Sequence, residues 1–164
     1  MIMSDVLFWF LIVLGFYLAF NSYWLLAAAL FPNTVEQCRL RYAEKPVRST
    51  FTGLLVSAPI LIGAFVLITH MGNPLFQITG IGIIAVVVML GLLGSTGLCS
   101  QIGQGLPAAD DAAWRRVGRG GLLLGMAFIL PVVGWFVLMP WTFISGFGAF
   151  VRVRFARRKA RAGA

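Results

Sequence analysis

The sequence predicts an all-α integral membrane protein. It has three full transmembrane helices, a C-terminal helical hairpin broken by proline and glycine, and a short amphipathic cytoplasmic helix after the first span. Three observations predict this. Hydrophobic residues make up 60% of the 164 positions and charged ones only 11%, with a mean hydropathy of +0.93; soluble domains average about a quarter charged residues. Three long runs, residues 6–31, 49–109 and 121–151, contain no Asp, Glu, Lys or Arg. The 13 Lys and Arg residues all lie between or after those runs, as they do in a chain whose loops are sorted by the positive-inside rule. One membrane domain, residues 1–164, accounts for the whole chain.

The first span is 6–31, long enough to cross with some tilt. The first five residues, Met-Ile-Met-Ser-Asp, lack the basic start of a secretory signal. Ala27-Ala28-Ala29 imitates a cleavage site, but the apolar stretch before it is too long for a signal core, so an uncleaved anchor is expected. Asn21 and Ser22 are its polar spot, suited to an interhelical hydrogen bond or, alternatively, to lining a pathway. Asn33 with Glu36 three residues on suggests a capped helix start. Val35, Cys38 and Tyr42 then recur at helical spacing beside Arg39 and Arg41, which predicts a short helix lying on the membrane surface. Residues 33–48 carry four basic and two acidic side chains, so this loop is expected in the cytoplasm and the N-terminus outside.

Spans 52–70 and 75–98 follow, joined by Met71-Gly72-Asn73-Pro74, a short turn that makes them an antiparallel hairpin. Gly72, Asn73 and Pro74 are its pivots, and Pro59 is expected to bend the first leg. Small residues four apart let helix backbones approach closely. Gly53 with Ser57, Pro59 with Gly63, and Gly91 with Ser95 are such pairs here. His70 at the turn reads as a solvated polar residue or a proton sensor, with Asp5 the nearest candidate partner on that side. The loop 101–120 holds Gly103, Gly105 and Pro107 but no phosphate-loop Gly-Lys-Ser/Thr. Asp110 and Asp111 are expected to cap a helix carrying Trp114. As adjacent residues they point apart and make a poor catalytic pair.

Arg115, Arg116 and Arg119 precede the run 121–151, and Arg152, Arg154, Arg157, Arg158, Lys159 and Arg161 follow it in a basic tail, 152–164. A single span would carry one cluster across the membrane. A re-entrant hairpin with pivots at Pro131, Gly134 and Pro140 keeps both clusters in the cytoplasm. Gly121 and Gly125 form a GxxxG seam, with Ser145 and Ala149 as its small-residue counterpart. Trp135 and Trp141 flank the prolines and serve either as interface anchors or as filling between the legs. Both hairpins share a plan: basic loop, glycine entry, apolar hairpin, basic exit.

Phe31-Pro32 through Pro46, Gly53-Leu54-Leu55, Met71-Gly72-Asn73-Pro74-Leu75, Ile129-Leu130-Pro131-Val132-Val133-Gly134-Trp135 and Gly146-Phe147-Gly148-Ala149 together carry a resemblance. The stretch 31–151 resembles the small bacterial membrane module that sometimes accompanies bactofilin-type polymer-forming domains. The β-helix of those domains is absent, and Asn73 stands where the family usually has a residue such as isoleucine. The resemblance implies a membrane-embedded platform in the cell inner membrane, with no catalytic residues to carry over.

The functional expectation is a non-enzymatic scaffold or anchor. Its basic surfaces, Arg39, Arg41, Arg115, Arg116, Arg119 and the tail cations, would meet anionic headgroups or an acidic partner protein, cytoplasmic or cytoskeletal. Homo-oligomers fit its small-residue seams, and nucleic acid does not fit a chain buried in lipid. The alternative is a small transporter or channel for a hydrophobic or lipid-like solute. Absence of any charge inside a span argues against proton coupling. Two cysteines, Cys38 and Cys99, and one histidine fall short of a metal set. No disulfide, cofactor or catalytic constellation is expected.

Overall fold

A computed structural model describes residues 2–44, 46–70, 74–107, 112–130 and 132–162, with side chains described up to 156. The expected positions Gly72, Asn73, Pro131, Asp110 and Asp111, and the side chains of Arg157, Arg158, Lys159 and Arg161, lie outside that description. The described chain is helical, with no strand. The helices are α1 (Ile2–Leu30), α2 (Pro32–Glu44), α3 (Pro46–His70), α4 (Pro74–Gln104), α5 (Ala113–Ile129) and α6 (Met139–Ala162), the last entered through a π-helical turn at Gly134–Leu138. Four segments are long and apolar enough to cross a membrane: Met3–Leu30, Val47–His70, Pro74–Gln104 and Gly134–Ala156.

α1 forms because nothing in it breaks a helix, and it is apolar on every side, as a lipid-facing rod is. α2 starts two residues earlier than a cap at Asn33 implies. Pro32 takes the first helical position, where its missing N–H costs nothing. Phe31 supplies the capping carbonyl to Thr34 and Val35 at 3.0 Å each. Glu36 therefore caps nothing and is left to pair elsewhere. The stripe Val35, Cys38 and Tyr42 is buried against α4 and α6. It docks on protein, not on a membrane surface.

α3 continues without a break through Pro59. α4 extends to Gln104, beyond the expected end at 98, because nothing in 98–104 stops it; Gly103 stays helical and lies against α5. α6 likewise continues through the basic tail to Ala162.

The C-terminal hairpin differs most from expectation. Leu130 is extended, with φ −63° and ψ 115°, the conformation forced on a residue before proline. Gly134 N–H then returns to the Leu130 carbonyl at 2.8 Å. The chain reverses between 130 and 134, and Pro140 is no pivot. It sits in the first turn of α6 behind the π-helical turn, which Met139 N–H closes onto the Gly134 carbonyl. A widened turn relieves the clash of a proline ring with the carbonyl four residues back. The second leg is thus long enough to cross by itself, where two short legs were expected.

Nor do the legs pair with each other. α4 lies between α5 and α6, and it touches every other helix. Gly120 sits against Cys99, and Gly103 against Arg116, so α5 runs antiparallel to α4. Phe143 sits against Gly91, and Gly146 against Gly94, so α6 runs parallel to it. At about 1.5 Å per residue, this register ends α5 and starts the π-helical turn roughly 12–24 Å short of the Pro74 end of α4.

The reason for α4's central position is its C-terminal half. Gly91, Gly94, Ser95, Thr96, Gly97, Cys99, Ser100 and Gly103 are all buried, and few of them carry more than two side-chain heavy atoms. A helix that thin admits neighbours on several sides. Trp24, Phe20, Phe128 and Phe143 fill the space where α1, α5 and α6 meet, with Phe20 at 5.9 to 6.4 Å from the other three rings.

Candidate functional site

All described arginines gather at one end of the bundle. Arg39 and Arg41 come from α2, Arg48 from the start of α3, Arg115, Arg116 and Arg119 from the start of α5, and Arg152 and Arg154 from the last turns of α6. The negative pole of α4 points to the same end, which favours cations there. Asp5 and the exposed His70 lie at the opposite end.

Local geometry divides the arginines into groups. Arg39 is held tightly. Its Nε donates to both Glu36 oxygens at 3.0 Å, its Nη2 to Glu36 Oε1, and its Nη1 across to Gln104 Oε1 on α4. This ties α2 to the end of α4. Arg41 donates to Glu44 at 3.2 Å on the exposed side. Arg115 lies 5.0 Å over the Trp114 ring and Arg154 5.2 Å over Phe150, within the range of cation–π contacts. Arg119 Nε donates to the Arg115 carbonyl at 3.3 Å. Arg152 has a buried Nη1 with no hydrogen-bond acceptor among the described residues. Arg39 and Arg41 are therefore structural as well as basic, which sequence spacing alone did not separate from the others.

Glu36 loses affinity for its proton chiefly because Arg39 hydrogen-bonds it; partial burial opposes this, and attraction from Arg39 and Arg116 adds to the lowering. A folded-state value below the ordinary 4.5 means stabilisation present above that pH and lost as pH falls through the depressed value. Glu36 is 43% exposed, so the gain is under about 1 kcal/mol. Melting of wild type and E36Q across pH 3 to 7 should show a gap that is largest at neutrality and closes towards pH 3.

Two cavities flank this end. One, of about 240 Å³, is bounded by Ala28, Asn33, Glu36, Ser100, Arg116 and Val117 among others. The second, of about 230 Å³, is an apolar groove along Leu90, Phe147 and Val151 that ends at Arg154.

The eight expected packing residues, Gly53, Ser57, Gly91, Ser95, Gly121, Gly125, Ser145 and Ala149, are all buried, but the pairing differs. Gly121 and Gly125 face Asn21, Trp24 and Tyr17 of α1. Ser145 accepts a hydrogen bond from Tyr42 Oη at 3.2 Å, and its carbonyl accepts one from Ser49 Oγ at 3.2 Å. Burial, only partly offset by that bond, pushes the Tyr42 phenol far above its ordinary range. The Pro59–Gly63 pair packs nothing, since Gly63 faces open space. Asn21 donates back to Tyr17 O at 2.9 Å within its own helix, not across helices. Trp135 and Trp141 are both exposed and fill no gap. The two hairpins are not equivalent, because α3 and α4 pack along each other while α5 and α6 straddle α4.

Gly94, Gly97, Gly103, Gly120, Gly146 and Gly148 make comparably close contacts, and a four-residue spacing misses them. Gly91, Gly94 and Gly97 recur every third residue, a row that also marks a packing ridge. Both cysteines are buried thiols outside any disulfide, and among the described residues no group of three His, Cys, Asp or Glu side chains could hold a metal.

The fold defines the class: a multi-pass helical membrane protein with one basic end. Comparison with protein-family models, with curated proteins and with solved structures finds no match.

Proposed function

We propose that the chain is a non-enzymatic membrane scaffold or anchor. Its basic end lies in the cytoplasm and contacts anionic headgroups or an acidic partner protein. The observation that carries this is the one-ended distribution of arginine on a bundle whose apolar middle, among the described residues, holds no ionised side chain. Each cation beside an anionic surface contributes about 1 kcal/mol. The buried Nη1 of Arg152 has a ready acceptor in a phosphate or carboxylate. The reversal at 130–134 stops short of the far end of α4, which supports a re-entrant α5–α6 unit with both basic flanks on one side. The resemblance to modules found beside bactofilin-type domains supports a cytoskeletal partner, and the small-residue seams leave room for homo-oligomers.

Membrane side is tested by maleimide labelling of cysteines introduced at 73 and 160. Residue 160 reacting only from the cytoplasm, and residue 73 only from outside, is the expected result; residue 160 reacting from outside would refute the orientation. Binding is tested by R154E/R157E/R158E. Removing three positive charges and adding three negative ones should lower affinity for vesicles containing anionic lipid by at least about a hundredfold at low salt. Unchanged binding would rule out contact through the tail.

A second reading, passage of a hydrophobic or lipid-like solute, is favoured by the apolar lateral groove between α4 and α6 that ends at Arg154. A liposome flux assay with purified protein separates the two.

A further inference from the structure

The cavity bounded by α1, α2, α4 and α5 differs from the arginine surface around it because both signs of charge line it. Arg116 stands on one side and Glu36 on another. The first turns of two helices, α2 at Pro32 and α5 at Ala113, open onto the same space. Helix starts carry partial positive charge; at α2 this acts through the dipole, since Pro32 has no N–H and Thr34 and Val35 donate to the Phe31 carbonyl. With Arg116 they make one wall suited to a phosphate. Glu36 remains a carboxylate; Arg39 donates to both of its oxygens, yet each oxygen can accept more than one bond and 43% of the side-chain surface is exposed. It supplies an acceptor for a cation that donates hydrogen bonds. Asn33 and the buried Ser100 add neutral polar groups, and Ala28, Val35 and Val117 form the apolar remainder.

We infer that this cavity binds the phosphoethanolamine head of a membrane phospholipid, its phosphate at Arg116 and the two helix starts, its primary ammonium at Glu36.

Size agrees. The head has about eight non-hydrogen atoms, and the cavity of about 240 Å³ holds roughly that many water-sized volumes at ~30 Å³ each. The choice of ammonium follows from the lining. A quaternary ammonium cannot donate to Glu36 and is usually held by an aromatic cage, and among the described residues no aromatic ring lines this cavity. A purely anionic head would meet Glu36 with nothing to offer it. The lipid source follows from position: Leu25 and Phe31, three residues to either side of Ala28 and so on its face of the helix, are exposed, a surface along which acyl chains can lie. The inference rests on the reading that this end sits at headgroup level.

Full-length protein in detergent is equilibrated with equal amounts of dioleoyl phosphatidylethanolamine, phosphatidylcholine and phosphatidylglycerol, and retained lipid is read by native mass spectrometry. Wild type should retain the ethanolamine lipid about tenfold over the choline lipid, the ratio expected for one charge-assisted hydrogen bond. E36Q should lower the ethanolamine-to-glycerol ratio about tenfold, and R116Q should weaken both. Equal retention of all three lipids by wild type, an unchanged ratio in E36Q, or full retention in R116Q would overturn the assignment. The wild-type ranking and E36Q decide the matter even if R116Q does not fold. Displacement of bound lipid by equimolar free phosphoethanolamine would reassign the site to a soluble phosphomonoester and overturn the lipid reading. Carbonate extraction of cell membranes keeps the two levels apart. Protein released by carbonate refutes the membrane reading itself, whereas inserted protein without headgroup preference refutes only this site.

Discussion

Gly94→Val is expected to abolish the folded bundle. A Cβ at Gly94 would overlap the Gly146 carbonyl, whose carbon would lie 2.5 Å away and whose Cα 2.9 Å away. The obstacle is backbone, so no rotamer change relieves it, and α4 and α6 must separate. Separation here also strains Gly91 against Phe143, and Gly148 against Ser49 and Gly53, because α6 is held on both sides. A loss above about 4 kcal/mol follows, in the range reserved for overpacked cores. The protein should be absent from the monodisperse peak in detergent size-exclusion chromatography. Gly82→Ala in the same helix is the matched control. Gly82 faces open space, and alanine is the better helix former by about 1 kcal/mol, so that variant should melt at or slightly above wild type. If both variants behave alike, glycine in α4 serves something other than close approach.

Trp24→Ala should be the most costly truncation of a single side chain. Trp24 is 1% exposed and belongs to the cluster with Val35, Cys99, Val117, Leu124 and Phe128. Its indole Nε1 donates to Ser95 Oγ at 3.0 Å, and Ser95 passes its own proton to the Leu92 carbonyl at 2.8 Å. Losing the ring opens a cavity where α1, α4 and α5 converge, at a cost of about 3–5 kcal/mol. Trp24→Phe keeps most of the volume and should lose only about 1 kcal/mol. Ser95→Ala should cost about 1–3 kcal/mol, because it leaves a buried N–H without an acceptor. Detergent melts of the two single variants W24F and S95A and of their double should therefore be non-additive, with the double closer to W24F than the sum predicts. Additive losses would mean that the indole and hydroxyl do not depend on each other.

Much of the molecule was legible in the residues. Charge-free runs marked the long helices, and Pro131 with Gly134 marked the reversal. Of the five small-residue pairs singled out by spacing, four are buried and Pro59 with Gly63 is not. The candidate site was legible only as a set of cations. Glu36 and Arg39 stand three apart on one helix, a spacing that announces an ion pair, yet Asn33 upstream made a capping box the nearer reading. The bond from Arg39 to Gln104 and the cavity beside Arg116 join residues far apart in the chain, and no local signal points to either.

Composition and the linear placement of arginine determined that this chain is helical, that it is suited to a bilayer and that its polar ends are sorted. These depend on transfer of each segment from water, which is a property of the segment alone. Tertiary structure decided that α4, not the C-terminal hairpin, is the centre, that Gly121 and Gly125 face α1, and that α2 docks on the bundle. Lipid is as apolar as a leucine face, so hydrophobicity cannot tell one face of a buried helix from another. Partner choice falls to how closely two backbones approach and which hydroxyl or indole finds its acceptor, and those are properties of pairs.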